Sequence, residues 1–287
     1  MKRLWAGMLA LIFATLACES GTATQQADNV STIVASTMQA LTPVAPTQSS
    51  GIRIAFQNIS FVIPEGLADG ASGKQVAAVD ETSGAPWEVA PAHLEFTLNG
   101  YNNSVAKFSL AEIRVYPKQD YANVYAGADF SVSRLENILA NPSAPITLDI
   151  MPRVPYFNAD QVIDAQTKII PFASGAGLRT VTQYAQGIGP ISNEGLFYHF
   201  EGFTNDGTFY IIAVLPIGAP FLAASSDPSA SIPSDGVPFP DLNAPQPETY
   251  NNYLAAITDK LNAAAPGSFT PSLTLLDSLI QSLQVAP

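Results

Sequence analysis

His199 and Glu201 lie two residues apart in the run from Leu196 to Leu215, and His93 and Glu95 repeat that spacing earlier in the chain. In an extended strand, side chains two apart share a face, so each pair sets an imidazole beside a carboxylate. Such a pair can act as a general base and its orienting partner. If the two strands were neighbours, two imidazoles and two carboxylates would converge as ligands for a metal such as zinc. Other catalytic signals are thin. No Gly-x-Ser-x-Gly elbow occurs, and Ser192 precedes its strand without the strained turn that exposes such a nucleophile. Gly70-Ala71-Ser72-Gly73-Lys74 lacks the spacing and the following Ser or Thr of a phosphate loop, and Gly175-Ala176-Gly177 opens a strand, so it is no dinucleotide fingerprint. Asp227, Asp235 and Asp241 are too widely spaced for a calcium loop. Tyr101, Tyr116, Tyr121 and Tyr125, with Asn102, Asn103 and Asp120, suit either a sugar- or peptide-binding surface or half-buried packing at strand ends. With only two histidines, the His-carboxylate pairs are expected to be polar patches on a sheet face. On this reading the chain has no catalytic residue, metal or cofactor, and His199 with Glu201 is the candidate functional pair.

The chain holds one cysteine, Cys18, which rules out an internal disulfide and a Cys-rich metal site. Lys2 and Arg3 precede an uncharged apolar run from Leu4 to Ala17. A bilayer span needs about 20 residues, so this shorter run suits the hydrophobic region of a signal peptide. It ends Ala14-Thr15-Leu16-Ala17-Cys18, which resembles the lipobox of bacterial lipoproteins, with Leu16 one place nearer the cysteine than in the usual motif. The resemblance implies cleavage before Cys18 and a diacylglycerol on its sulfur, so residues 1–17 are expected to be a lipoprotein signal peptide. Removing Lys2 and Arg3 would take the net charge from −12 to −14. Two or more acyl chains anchor stably, at about 0.8 kcal/mol per buried CH₂. The partner this implies is the lipid bilayer, through acylated Cys18. A strongly acidic surface repels nucleic acid, which is excluded as a partner.

Residues 18–50 are rich in Ser, Thr, Ala, Gln and Pro and read as a flexible tether behind the lipidated cysteine. Val30, Ile33, Val34, Thr37, Met38 and Leu41 fall at helical spacing within it, which suggests a nascent helix. Residues 51–287 read as a single α+β domain. Its clearest element is the hairpin of Leu196–Leu215 around Asn205-Asp206-Gly207, where Gly207 accepts the positive φ of a two-residue turn or of a three-residue turn with a bulge. Both faces of Phe209–Leu215 are apolar, so this strand is expected to be central and covered on both sides. Further strands are read at 52–56, 59–63, 75–79, 93–98, 105–108, 110–115, 168–172 and 178–186. A helix is expected over Ser131–Ala140, capped by Ser131 or Ser133. Residues 216–248 carry eight prolines and read as a long loop, either a lid or an edge-covering insertion. Two closing helices are expected, one with the stripe Tyr250, Tyr253, Leu254, Ile257 and Leu261, the other capped by Thr270 with Pro271 at its first position. Both would pack on the sheet.

Phe61-Val62-Ile63-Pro64-Glu65-Gly66, the Asp206-Gly207 hairpin and the closing helix Leu273–Leu283 resemble, in order, elements of the PsbP-like α/β/α sandwich. That resemblance implies an antiparallel sheet between helices, on a scaffold used by accessory and binding proteins, and it implies no shared activity. The expectation is a lipid-anchored lipoprotein on the outer face of the cell membrane. It would act as a non-catalytic binding or accessory module of the cell envelope, with an envelope protein as its partner. The alternative is an envelope hydrolase or metal-dependent enzyme using His199 and Glu201.

Overall fold

The computed structural model describes residues 50–85, 87–101, 110–153, 159–227, 229–241 and 247–286. Cys18, the tether up to residue 49 and the strand expected at 105–108 lie outside the described residues. The described strands are β1 (Gly51–Phe56), β2 (Ile59–Pro64), β3 (Gly70–Val76), β4 (His93–Asn99), β5 (Glu112–Pro117), β6 (Asp160–Gln161), β7 (Ala165–Phe172), β8 (Gly175–Thr182), β9 (Tyr184–Ala185), β10 (Phe197–Thr204), β11 (Phe209–Pro216) and β12 (Gln284–Val285). The described helices are α1 (Lys118–Val124), α2 (Ala126–Ala140), α3 (Pro247–Ala263) and α4 (Leu273–Gln281).

The β10–β11 hairpin forms the centre of a seven-stranded antiparallel sheet of order β3-β4-β5-β11-β10-β8-β7. As the unbroken apolar run of β11 predicts, that strand is the middle one and is buried on both sides. Ile211, Ala213 and Leu215 join one core layer, and Tyr210, Ile212 and Val214 join the other. The first layer is closed by α3, α4 and the small sheet β1-β2-β12, through Ile257, Leu261, Leu276, Leu279, Phe61 and Val285. The second is closed by α1 and α2, through Tyr121, Ala128, Val132, Leu135 and Ile138. The class is therefore α+β, with an antiparallel sheet flanked by helices and the C-terminal helices packed on it.

Local chemistry explains where the elements depart from expectation. The hairpin connection holds four residues, Asn205–Thr208, in place of two or three. Gly207 takes φ 69° as expected. Thr204 Oγ1 accepts from Phe209 N at 3.0 Å, so a side chain takes the place of a backbone acceptor and lengthens the loop. The edge strand β3 spans Gly70–Val76, earlier than the expected 75–79. Its Gly-Ala-Ser-Gly sequence has no alternation, yet a Cβ on Gly73 would come within 2.9 Å of the Phe56 ring, so glycine is what lets β1 lie against it. The helix expected from Ser131 begins at Ala126, and a further helix, α1, starts directly after Pro117. Neither expected serine is its cap, because Ser131 is buried inside α2 with its hydroxyl accepting from Arg153 N. The cap of α4 is Ser272, whose hydroxyl accepts from Leu275 N. Thr270 cannot serve, because its backbone is already exchanged with Gly218 in a β-bridge. The start of the proline-rich segment packs down: Ile217, Ala219, Phe221 and Leu222 are core residues, held by Asn193, which accepts from Ala219 N and donates to the carbonyls of Ala219 and Leu222.

Candidate functional site

The register of β10 puts His199 and Glu201 on the face covered by α1 and α2. They sit opposite Val214 and Ile212 on one side and Thr180 and Leu178 on the other. As expected, the two side chains meet: His199 Nε2 lies 3.4 Å from Glu201 Oε1. Both are only 2% exposed. The Tyr210 hydroxyl donates to Glu201 Oε2. Burial, and then the Glu201 charge, push the Tyr210 hydroxyl well above its ordinary range, so it stays protonated and keeps donating. Phe197 meets the His199 ring edge-on at 5.8 Å, and Tyr121 caps Tyr210 from α1 at 5.1 Å. The pair is therefore an internal polar contact, with Glu201 hydrogen-bonded to Tyr210, beneath a roof of aromatics.

His93 and Glu95 share that sheet face but do not meet His199 and Glu201. Strands β5 and β11 stand between, three strand spacings or about 14 Å. Among the described residues no group of three or more His, Cys, Asp or Glu side chains is placed to hold a metal. The four-ligand convergence considered from the sequence is thus not formed. Glu95 is instead spent on Lys74 at 2.6 Å and Arg114 at 3.2 Å, while Arg114 also grips Glu112 at 2.6 Å. His93 donates from Nδ1 to the Pro91 carbonyl at 2.8 Å and lies against Tyr116 at 4.4 Å. Burial holds its imidazole below the ordinary range, with Arg114 pushing the same way. Of the tyrosine cluster, Tyr116, Tyr121 and Tyr125 stay together and Tyr101 separates from them, while Asn102 and Asn103 lie outside the described residues. Tyr116 and Tyr121 belong to the core under α1, whereas Tyr101 packs on the opposite face. Ser192 is fully buried, bridged to Ala223 and bonded through its backbone N to Gln183.

Sequence reasoning missed a cleft of about 810 Å³ beside the β6–β9 ladder. Arg153, Asp160, Tyr184, Gln186, Ile188 and Tyr250 line it. These residues come from three separate stretches, so no local motif announces them. Tyr184 connects the cleft to the sealed pair: its ring stacks on Phe197 at 5.9 Å, and Phe197 abuts His199. Burial and then Glu201 raise the Tyr184 hydroxyl above its ordinary range, against the pull of Arg153, so that buried group stays protonated. A second, smaller cleft of about 310 Å³ lies at the C-terminal end of α2, between Arg134, Ile138, Ile146 and Ile150.

Comparison with protein-family models, with curated proteins and with solved structures gave no match. The reading of function therefore rests on the residues themselves.

Proposed function

We propose that this chain is a lipoprotein anchored through Cys18 to the outer face of the cell membrane, and that its folded part acts by binding. The observation that carries the binding half is the sealing of His199 and Glu201 at 2% exposure each. A general base must come within about 3 Å of the proton it removes. A carboxylate occupied by Tyr210 beneath two helices does not reach a substrate. The anchoring half is supported by Lys2 and Arg3, the apolar run and the single cysteine that follows it. The PsbP-like order of elements fits an accessory role beside an envelope protein or complex that the module would stabilise.

Fractionation tests the anchor. Wild-type protein is expected in the membrane fraction after a high-salt wash, and Cys18→Ser in the soluble fraction; a Cys18→Ser variant that stays on washed membranes would refute acylation. Capture from native membranes with the intact lipoprotein tests the rest. A stoichiometric component is expected to co-purify equally with wild type and with Glu201→Gln, which preserves the shape of the buried side chain. Loss of function in a Glu201→Gln protein with an unchanged melting temperature would point to chemistry at that carboxylate and overturn the proposal.

A further inference from the structure

We infer that the cleft beside the β6–β9 ladder is a binding site for a neutral, hydroxyl-rich ligand of saccharide type, one or two sugar rings in size. This deepens the binding role proposed above and rests on it. The volume, about 810 Å³, falls within the range of small-molecule sites, about 300–1,000 Å³, and far exceeds what a bound ion needs.

Charge selects the class. Among the described residues the cleft holds one cation and one anion, and they are set against each other: Arg153 Nη1 stands 3.2 Å from Asp160 Oδ1. Both side chains remain open to solvent, at 45% and 83% exposure. The pair cancels in net charge but keeps hydrogen-bonding capacity, because a guanidinium has five donors and a carboxylate about four acceptor positions. Adjacent hydroxyls, each both donor and acceptor, match such an alternation. A free anion would meet Asp160 within a chain of net charge −12, and a free cation would meet Arg153.

Apolar surface completes the match. Ile188 stands 57% exposed at the cleft, and the ring of Tyr250 flanks it. The C–H face of a pyranose is the kind of ligand surface that covers aliphatic and aromatic groups while its hydroxyls reach a polar wall. Tyr250 is also held in place: its hydroxyl donates to the Gly189 carbonyl at 3.2 Å, and its ring stacks on Tyr253 at 6.1 Å. Tyr184, also in the lining, is held by stacking on Phe197. Side chains already held by packing cost little to organise on binding.

Gly187 gives a means of closing the site. Gly187 lines the cleft, a Cβ there would meet nothing within 4 Å, and the residue does not need a positive φ, so a larger side chain can be introduced at the cleft wall without a backbone clash. The test uses the full chain in a sugar-free detergent, on a printed array of neutral, acidic and basic oligosaccharides, followed by calorimetric titration of the strongest neutral hit. Binding to neutral glycans is expected. Asp160→Asn and Arg153→Gln should each weaken it at least tenfold, and Gly187→Trp should abolish it with an unchanged melting temperature. Should Gly187→Trp fail to fold, Tyr250→Leu takes its place, with at least a tenfold loss expected. A silent array, recognition of charged glycans alone, binding only to peptide, or neutral-glycan binding that survives the occluding variant would each overturn the inference. A silent array alongside a component still captured from membranes sinks the saccharide and leaves the binding role standing, whereas failure of both sinks both.

Discussion

At the scale of single residues, burial decides what the ionisable groups do. Tyr210 is the donor that makes a buried carboxylate at Glu201 tolerable. Tyr210→Phe leaves that oxygen desolvated without its partner, at a cost of about 1–3 kcal/mol. Thermal denaturation should show a fall of roughly 2–4 °C for each kcal/mol in a domain of this size; an unchanged midpoint would mean that Glu201 is not held by this bond. His93 predicts a pH effect. Its folded pKa lies below the ordinary value of 6.5, because burial and the facing charges of Arg114 and Lys74 oppose protonation more than Glu95 and the Pro91 carbonyl favour it. Between the folded and unfolded pKa values the unfolded chain binds more protons, so stability is complete above about pH 6.5 and declines as the pH falls below it. Denaturant midpoints measured from pH 7.5 to 5 should drop for the wild type. The drop should be smaller for His93→Phe, which keeps the contact with Tyr116 and removes the titration. Identical slopes would show that His93 does not contribute. At this scale the sequence revealed that His199 and Glu201 share a face, since that follows from strand periodicity alone. It did not reveal that they are sealed, because that depends on α1, whose Lys-Gln-Asp-Tyr-Ala-Asn-Val sequence carries too short a stripe to read as a helix.

At the scale of elements, α4 shows how one helix is fixed to the sheet. Its apolar stripe, Leu276, Leu279, Ile280 and Leu283, was legible because the 3.6-residue period is strong over a short span. Its polar fastening was not. Asp277 sits on the same buried side, 2.8 Å from Lys168 and 3.8 Å from Arg179, and accepts from the Tyr198 hydroxyl at 3.1 Å. Lys168 and Arg179 are cross-strand partners on β7 and β8, so one carboxylate ties the helix to two strands. Arg179 is 2% exposed and, among the described residues, its Nε and Nη1 have no hydrogen-bond partner, so it depends on that nearby charge. Asp277→Ala would leave a buried cation uncompensated and should cost about 3–5 kcal/mol. Ser272→Ala, which removes only the cap, should cost about 1 kcal/mol. Urea unfolding of the two variants separates them, and equal losses would show that the ion cluster adds nothing beyond helix formation. The glycine-rich edge strand β3 was misplaced for the opposite reason: its residues were selected by the close approach of β1, and no side-chain pattern records that.

At the scale of the whole molecule, the beginning and end of the folded part close on each other, which no local pattern could disclose. Strand β12 is two residues long, yet it completes the small sheet by pairing Gln284 with Ser60 and Val285 with Ile59. Ala286 N donates to the Asn58 carbonyl, Asn58 Nδ2 donates to the Ala286 carbonyl, both at 2.8 Å, and Val285 N reaches Ser174 Oγ at 3.0 Å. Ser282, at the end of α4, accepts from Val62 N, so helix and strand are joined to β2 together. A chain ending at Leu283 keeps every strand of the main sheet and both of its helical layers, so it should fold. It loses the burial of Val285, about 1.5–3 kcal/mol, and several backbone bonds of about 0.5–1.5 kcal/mol each, offset in part by water at the newly exposed groups. A net loss of about 2–4 kcal/mol is expected in urea unfolding, with the slope nearly unchanged because little surface is newly exposed in the native state. Hydrogen exchange should locate the damage in β1 and β2 while β10 and β11 stay protected. A truncated chain with a wild-type midpoint would mean that the terminal pairing contributes no stability. A chain that lost protection in β10 and β11 as well would mean that the small sheet and the main sheet unfold as one cooperative unit.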